Sequence, residues 1–327
     1  MKNLLKRKLK EGKTCLGLWV TIPSPDVSEA LSTLDLDWLL FDLEHSALSE
    51  QDAQILMQGM RGEEVTPLVR VAWNDPVMIK RALDIGAHGV IVPMVNTRED
   101  AVRAVKSCTY PPAGIRGCGP KRPWVFDPDY MDNADQEVMV IPQIETREAV
   151  ENADEIFSVP GVDVGFVGPF DLSISMGFRG KQDSPEFQAA VDRVLAAAKR
   201  QGVVPGMWNG AGRPIGRRIQ EGWRFISVGL DLTLMTEGGR AALADRLLRS
   251  LLRSRRRTAG QHRRTRQHNR RTLEKIPTRD RMTGVTMQRT SSRTHGSLPD
   301  SRSEIAACAM RTPPDYPESY PMALTCQ

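Results

Sequence analysis

Cysteine is scarce: the 327-residue chain has five, and no two stand in a C-x-x-C spacing. That pattern fits free thiols in a reducing cytoplasm and offers neither a disulfide framework nor a zinc ribbon. Histidine is as rare, with only His45 and His88 ahead of the C-terminal stretch, so a structural zinc site is not expected. No apolar run approaches the ~18 residues that span a bilayer. The opening MKNLLKRKLKEGK is charged throughout and has no apolar h-region, so a signal peptide is not expected. The G-x-G-x-x-G fingerprint of a dinucleotide domain is missing from the first strand–helix turn. GIRGCGP at 114–120 lacks the Gly-Lys-Ser/Thr ending of a Walker loop.

The formal charge of +5 conceals a split: residues 1–248 carry 28 Lys+Arg against 34 Asp+Glu, and residues 249–327 carry 17 against 6. Only eight of those last 79 residues are Leu, Ile, Val or Phe, about half the ~20% below which a charged chain does not bury a core. The chain therefore reads as a body, residues 1–250, and a low-complexity basic tail, residues 251–327, expected to be disordered. The tail supplies the one non-enzymatic reading, non-specific nucleic-acid binding. Its basic residues crowd the segment 249–279 without interleaved aromatics, so such binding would be lost steeply with salt.

In the body, short apolar runs alternate with helical patterns. Strands are expected at 14–22, 38–44, 66–73, 89–95, 138–144, 162–167, 203–208 and 225–230. Ser49 with Asp52 has capping-box spacing, and Asp75-Pro76 and Ser184-Pro185 mark helix starts. Eight strands with eight helices over about 250 residues match a (β/α)8 TIM barrel, an α/β fold. The connection 110–136 has too many Gly and Pro for regular structure through most of its length, and long ordered loops are usually functional.

In such a barrel the chemistry sits beyond the carboxyl ends of the strands. Glu145 ends strand five and Asp171 follows strand six. Each alone reads as a solvated rim acid. Together they give the two oxygen ligands expected for Mg2+ or a similar divalent ion that keeps several waters. His45, in DLEHS beside Asp42 and Glu44, is placed to act as a base, or is a histidine satisfied by its neighbours. Arg70, between Val69 and Val71, is too costly to bury unpaired and should meet an anion, either a neighbouring carboxylate or a substrate oxygen. The turn Gly168-Pro169-Phe170-Asp171 opens a helix whose free amides could hold a carboxylate. Arg116 on the long connection is a second anion contact or a solvated loop arginine. No lysine stands at a strand end and only Lys121 could reach in from the connection, so metal chemistry is favoured over imine chemistry. His88 belongs to the opposite end of the barrel and reads as structural.

The segments FDLEHS, LVRVAWND, IKRALDIGAHGVIVPMVNT, YPPAGIRGCGP, VIPQIET and FVGPFDLSISMG resemble, in order, the successive motifs of the HpcH/HpaI aldolase family. These are class II pyruvate aldolases related to citrate lyase β subunits, and the likeness is strongest to the hydroxy-oxo-diacid and 2-keto-3-deoxy-sugar-acid branch. It runs from about Leu4 to Leu248. The resemblance implies a metal-dependent lyase that reversibly cleaves a 4-hydroxy-2-oxo acid to pyruvate and an aldehyde through a metal-stabilised pyruvate enolate. It implies Mg2+, Mn2+ or Co2+ on Glu145 and Asp171, His45 as acid/base, Arg70 on the enolate oxygen, Asp84 as a partner of the histidine, Gln143 lining the pyruvate, and a hexamer. Oxaloacetate decarboxylation through the same enolate is the alternative reaction. The chain departs from the family in PGMWN after strand seven and in continuing past the eighth helix.

Overall fold

The computed structural model of the chain describes residues 2–62, 64–210 and 214–244. Met1–Ala241 form one compact unit. The expectations for residues 251–327, disorder and nucleic-acid binding, lie outside the described residues.

Eight strands, β1 (Cys15–Val20), β2 (Trp38–Asp42), β3 (Thr66–Arg70), β4 (Gly89–Val92), β5 (Met139–Ile144), β6 (Val164–Val167), β7 (Val204–Trp208) and β8 (Phe225–Leu230), pair in parallel and in sequence order, β8 closing onto β1. Helix α1 (Leu4–Lys10) precedes them. Helices α2 (Pro25–Ser32), α3 (Glu50–Gly59), α4 (Pro76–Asp84) and α5 (Arg98–Cys108) follow the first four strands in turn. Next come α6 (Lys121–Phe126) and α7 (Tyr130–Glu137) before β5, α8 (Arg147–Glu151) and α9 (Ala153–Phe157) before β6, α10 (Pro169–Ser175) and α11 (Pro185–Gln201) before β7, and α12 (Ile215–Glu221) before β8. Residues 231–241 are helical. The fold is the expected (β/α)8 barrel, and no helix among the described residues is long and apolar enough to cross a membrane.

Strand alternation sorts the core into two layers. Trp19, Trp38, Leu40, Leu68, Ile91, Met139, Ile141, Val164, Phe166 and Phe225 fill the barrel; Leu39, Phe41, Val69, Val90, Val140 and Val167, one position out of phase, pack under the helices. Inside, Trp38 stacks on Phe225 at 4.4 Å and Phe166 meets Phe225 edge-on at 5.8 Å. Leu5 and Leu9 of α1 join this inner cluster at the amino-terminal end, where Lys6 pairs with Asp163 at 3.0 Å. Asn3 Nδ2 donates there to the carbonyls of His88 and Glu137 at 3.0 and 2.8 Å. His88 is thus structural, and desolvation lowers its pKa to about 4.

At the other end Asp231 ties β8 to β1, accepting from the amides of Thr21 and Ile22 at 2.8 and 2.9 Å. The inner layer leaves least room for a side chain at Gly17. Gly17 is the register partner of Trp38, and a Cβ there would lie 1.9 Å from the indole. The indole cannot retreat because Phe225 lies flat behind it. Gly17→Ala is expected to cost about 3 kcal/mol, lowering Tm by about 6–12 °C in a thermal melt of the full chain.

Some expected bounds are corrected: strands three and four end at Arg70 and Val92, three residues short of the expected 73 and 95. The connection 110–136 is irregular only to Pro120 and then forms α6 and α7; Pro123 falls in the first turn of α6, where its missing N–H interrupts no helical bond. Strand two stops at Asp42 rather than 44, because Asp42 Oδ1 accepts from the amides of Glu44 and His45 at 3.1 and 3.3 Å and turns the chain away from the sheet.

Candidate active site

The residues that carry charge into the barrel mouth share the phase of the inner layer. Asp42 continues Trp38 and Leu40, Arg70 continues Leu68, and Gln143 and Glu145 continue Met139 and Ile141. Each therefore turns inward just above the last apolar layer. Asp42 and Arg70, the last residues of adjacent strands, are also Cα register partners.

Arg70 is clamped. Its Nε and Nη2 donate to the two Asp42 oxygens at 2.8 and 2.6 Å, its Nη1 lies 3.1 Å from Glu44 Oε2, and its guanidinium sits 4.3 Å over the Trp19 ring. A bidentate pair with a ring beneath fixes the plane of the group. Both sequence alternatives for Arg70 thus bear on it: neighbouring carboxylates hold it, while its remaining N–H donors keep capacity for a further anion.

Glu145 is buried at 3% exposure. Its Oε1 accepts from the Met94 amide at 2.7 Å, and its Oε2 accepts from Gln143 Nε2. Met94 adopts φ 53° to deliver that amide, a left-handed conformation uncommon for a long side chain and of the kind that clusters at functional sites. Asp171 lies in the first turn of α10. Gly168 leaves space beside the pair: a Cβ there would meet Gln143 Nε2 at 2.8 Å and Glu145 Oε2 at 3.1 Å. Pro169 is buried, whereas Phe170 is 51% exposed. His45 is more open, its side chain 61% exposed, with Nε2 3.8 Å from Glu44 Oε2.

Two expected site residues lie elsewhere. Barrel helices run antiparallel to their strands, so Asp84 at the C-terminus of α4 belongs to the amino-terminal end of the barrel, away from His45. It pairs instead with Arg116 Nη2 at 2.8 Å. Arg116 is neither solvated nor presented at the mouth: it is 2% exposed, donates to the Tyr130 hydroxyl at 3.0 Å and stacks 4.7 Å from the Tyr110 ring. Together they anchor the 110–136 connection. Within one chain, neither reaches the rim. Conversely, Asp42, Glu44 and Trp19 belong to the site. Their inward phase was readable, but their partners depend on strand register.

Negative charge accumulates at the mouth. Desolvation, with Glu44 and Asp171 nearby, raises the Glu145 pKa to about 7 despite the opposing Met94 and Gln143 hydrogen bonds. Desolvation likewise raises Glu44 to about 7, with Arg70 opposing and Asp42 and Asp171 adding to the shift. Groups whose folded pKa is raised bind protons that the unfolded chain has already released, so stability falls as pH rises through the window from 4.5 to about 7. His88, lowered to about 4, acts in the opposite direction, but only below its unfolded value of 6.5. Ligand-free protein is therefore expected to melt at lower temperature at pH 8 than at pH 6.5. Millimolar Mg2+ or Mn2+ should restore Tm at pH 8, and Glu145→Gln should flatten the pH dependence.

Buried carboxylates whose charge neighbouring acids oppose, one of them held by a strained amide, fit a hard divalent cation that takes oxygen ligands. Gln143 Oε1, buried without a hydrogen-bond partner, is a further acceptor at the same place. Acids and a clamped guanidinium at the carboxyl end of a closed parallel barrel define an enzyme site of the (β/α)8 class.

The chain belongs to the HpcH/HpaI aldolase/citrate lyase family, whose model matches residues 15–237, and it is an aldolase-type lyase. The 4-hydroxy-2-oxo-heptane-1,7-dioate aldolase of Salmonella paratyphi C (strain RKS4594) is 40% identical over 249 residues, covering 75% of this chain and 94% of that protein. A crystal structure of a HpcH/HpaI aldolase/citrate lyase family protein from Burkholderia cenocepacia J2315 superposes with a TM-score of 0.71 at 33% identity, covering 75% of this chain and 99% of that one. The citrate synthase SbnG superposes with a TM-score of 0.69 at 28% identity over 75% and 98% of the two chains.

Proposed function

We propose that the protein cleaves a 4-hydroxy-2-oxo acid reversibly to pyruvate and an aldehyde, using a divalent ion on Glu145 and Asp171. The observation that carries the reading is that buried Glu145, with the charges of Glu44 and Asp171 nearby, stands at the same mouth as Arg70, which is paired with Glu44, clamped by Asp42 and stacked on Trp19. The relative named for 4-hydroxy-2-oxo-heptane-1,7-dioate supports the substrate class.

When bound, Mg2+, Mn2+ or Co2+ supplies Lewis-acid polarisation of the substrate's keto oxygen. The chain's own groups do the rest. A base takes the proton of the 4-hydroxyl, the C3–C4 bond breaks, its electron pair passes to the keto side as an enolate, and the aldehyde leaves; C3 is then protonated to give pyruvate. His45 moves the hydroxyl proton, its exposure giving access to solvent exchange. Arg70 spends its free N–H donors on the developing enolate oxygen. Gln143 and the first-turn amides of α10 at Phe170 and Asp171 orient the carboxylate.

A homo-oligomer belongs to the same reading, supported by Val125 and Phe126 of α6, each 74% exposed, and light scattering would count its copies. Cys15, Cys108 and Cys118 are free thiols, which suits a reducing cytoplasm. The test is substrate preference in a lactate dehydrogenase-coupled assay. Pyruvate release should favour hydroxy-oxo acids over oxaloacetate, whereas the reverse order would make decarboxylation the primary reaction.

A further inference from the structure

Glu44 has a position at the mouth that the proposed chemistry does not use. It stands two residues beyond the end of β2, where the chain has left the sheet, and its side chain reaches Arg70 at the mouth. The turn that carries it is held by the Asp42 carboxylate, which accepts from the Glu44 and His45 amides at 3.1 and 3.3 Å. Its side chain is 13% exposed, and one oxygen, Oε2, stands 3.1 Å from Arg70 Nη1 and 3.8 Å from His45 Nε2. That oxygen is buried and receives no hydrogen bond: the Arg70 contact is an ion pair whose N–H is not aimed along the line between the atoms. A buried carboxylate oxygen without a donor is costly, and a native site ordinarily supplies one.

The missing donor has a definable chemistry. Asp42 already occupies the Nε and Nη2 edge of Arg70, and the acids whose charge reaches Glu44 include Asp171, which cannot donate when ionised. Gln143 Oε1, buried and unpartnered at the same mouth, also awaits a donor. A water polarised by a divalent cation donates strongly and suits acceptors in a negative field. Glu44 Oε2 is turned to Arg70 and His45, which suits an acceptor for the ion's water better than a ligand of the ion itself. Mg2+ and similar ions bound by one or two carboxylates keep several waters, and these need partners of their own.

We propose that Glu44 helps bind the site's divalent cation through water, its Oε2 accepting a hydrogen bond from a water in the ion's coordination sphere while Glu145 and Asp171 hold the ion directly. The inference rests on the reading of Glu145 and Asp171 as cation ligands. It makes Glu44 a positioning residue, acting on the ion through its water.

The experiment is a Mn2+ titration of the full chain at pH 8, following free Mn2+ by electron paramagnetic resonance, for wild type, Glu44→Ala, Glu44→Gln and Asp171→Asn. Glu44→Ala should weaken Mn2+ binding by about 10–100-fold, the usual loss when an outer partner of a bound ion is removed. Glu44→Gln, which keeps an acceptor of the same length, should lose less, and Asp171→Asn more. Circular dichroism and melting of the ligand-free variants identify any that are misfolded, the near-isosteric glutamine serving as the arm that retains the fold. Wild-type affinity in Glu44→Ala overturns the proposal and leaves the two-ligand reading intact. Equal losses in the alanine and glutamine variants also overturn it, since bare charge would then account for the effect. Absence of Mn2+ binding in wild type overturns the cation reading, and the proposal with it.

Discussion

Arg70→Lys is expected to lower kcat for pyruvate release by about 10²–10³-fold, the cost of removing one preorganised donor from a developing oxyanion. Lysine preserves the charge but not the fork. The Asp42 carboxylate receives two guanidinium N–H groups at 2.8 and 2.6 Å, and the flat face of the group lies on Trp19. An ammonium can satisfy neither the bidentate pair nor the stack, so its proton donors are no longer held toward the substrate. The loss should fall mainly on kcat, because the charge on that oxygen grows only as the C3–C4 bond breaks. Arg70→Ala is expected to be worse for another reason. It leaves Asp42 charged at 2% exposure with no cation, a change that typically costs about 3–5 kcal/mol of stability. Steady-state kinetics on the lysine variant, beside melts of both, separate the two effects.

The second large effect is at the acids. Asp171→Asn and Glu145→Gln are each expected to reduce kcat/KM by about 10³-fold or more, since Lewis-acid stabilisation contributes several kcal/mol and each 1.36 kcal/mol is tenfold in rate. Both substitutions keep shape and remove charge. They should therefore leave the barrel folded, and Glu145→Gln should raise the melting temperature of ligand-free protein at pH 8, where the native carboxylate is held charged against its surroundings. Activity loss accompanied by a gain in stability would mark a functional group maintained at a structural cost. Calorimetric titration with Mg2+ provides the independent measure, with binding weakened in both variants.

The barrel was legible because its signal is repetitive: runs such as GVIV at β4 and VGFV at β6 recur between capped helices, and Ser49–Asp52 and Asp75–Pro76 begin α3 and α4 as read. The placement of Glu145, Asp171, Arg70 and His45 at strand ends followed from that alternation alone. What one strand's pattern does not contain is its neighbour's register. Asp42 meets Arg70 because two strands align, 28 positions apart in sequence; the pairing requires the closed sheet. Likewise Arg116 reads as a loop cation until α7 brings Tyr130 and α4 brings Asp84 around it. Asp84 entered as a histidine partner by resemblance, and helix direction carries it to the other end of this chain's barrel.

The proposed cleavage breaks the carbon–carbon bond at a cation held by two carboxylates and not at an amine. Its most direct test is pyruvate release from a 4-hydroxy-2-oxo acid, measured before and after EDTA, after restoration of Mg2+ or Mn2+, and after borohydride treatment in the presence of pyruvate. Activity is expected to be abolished by chelation, recovered with the ion and indifferent to borohydride. Activity that survives EDTA and is lost to borohydride would instead place the cleavage at an amine.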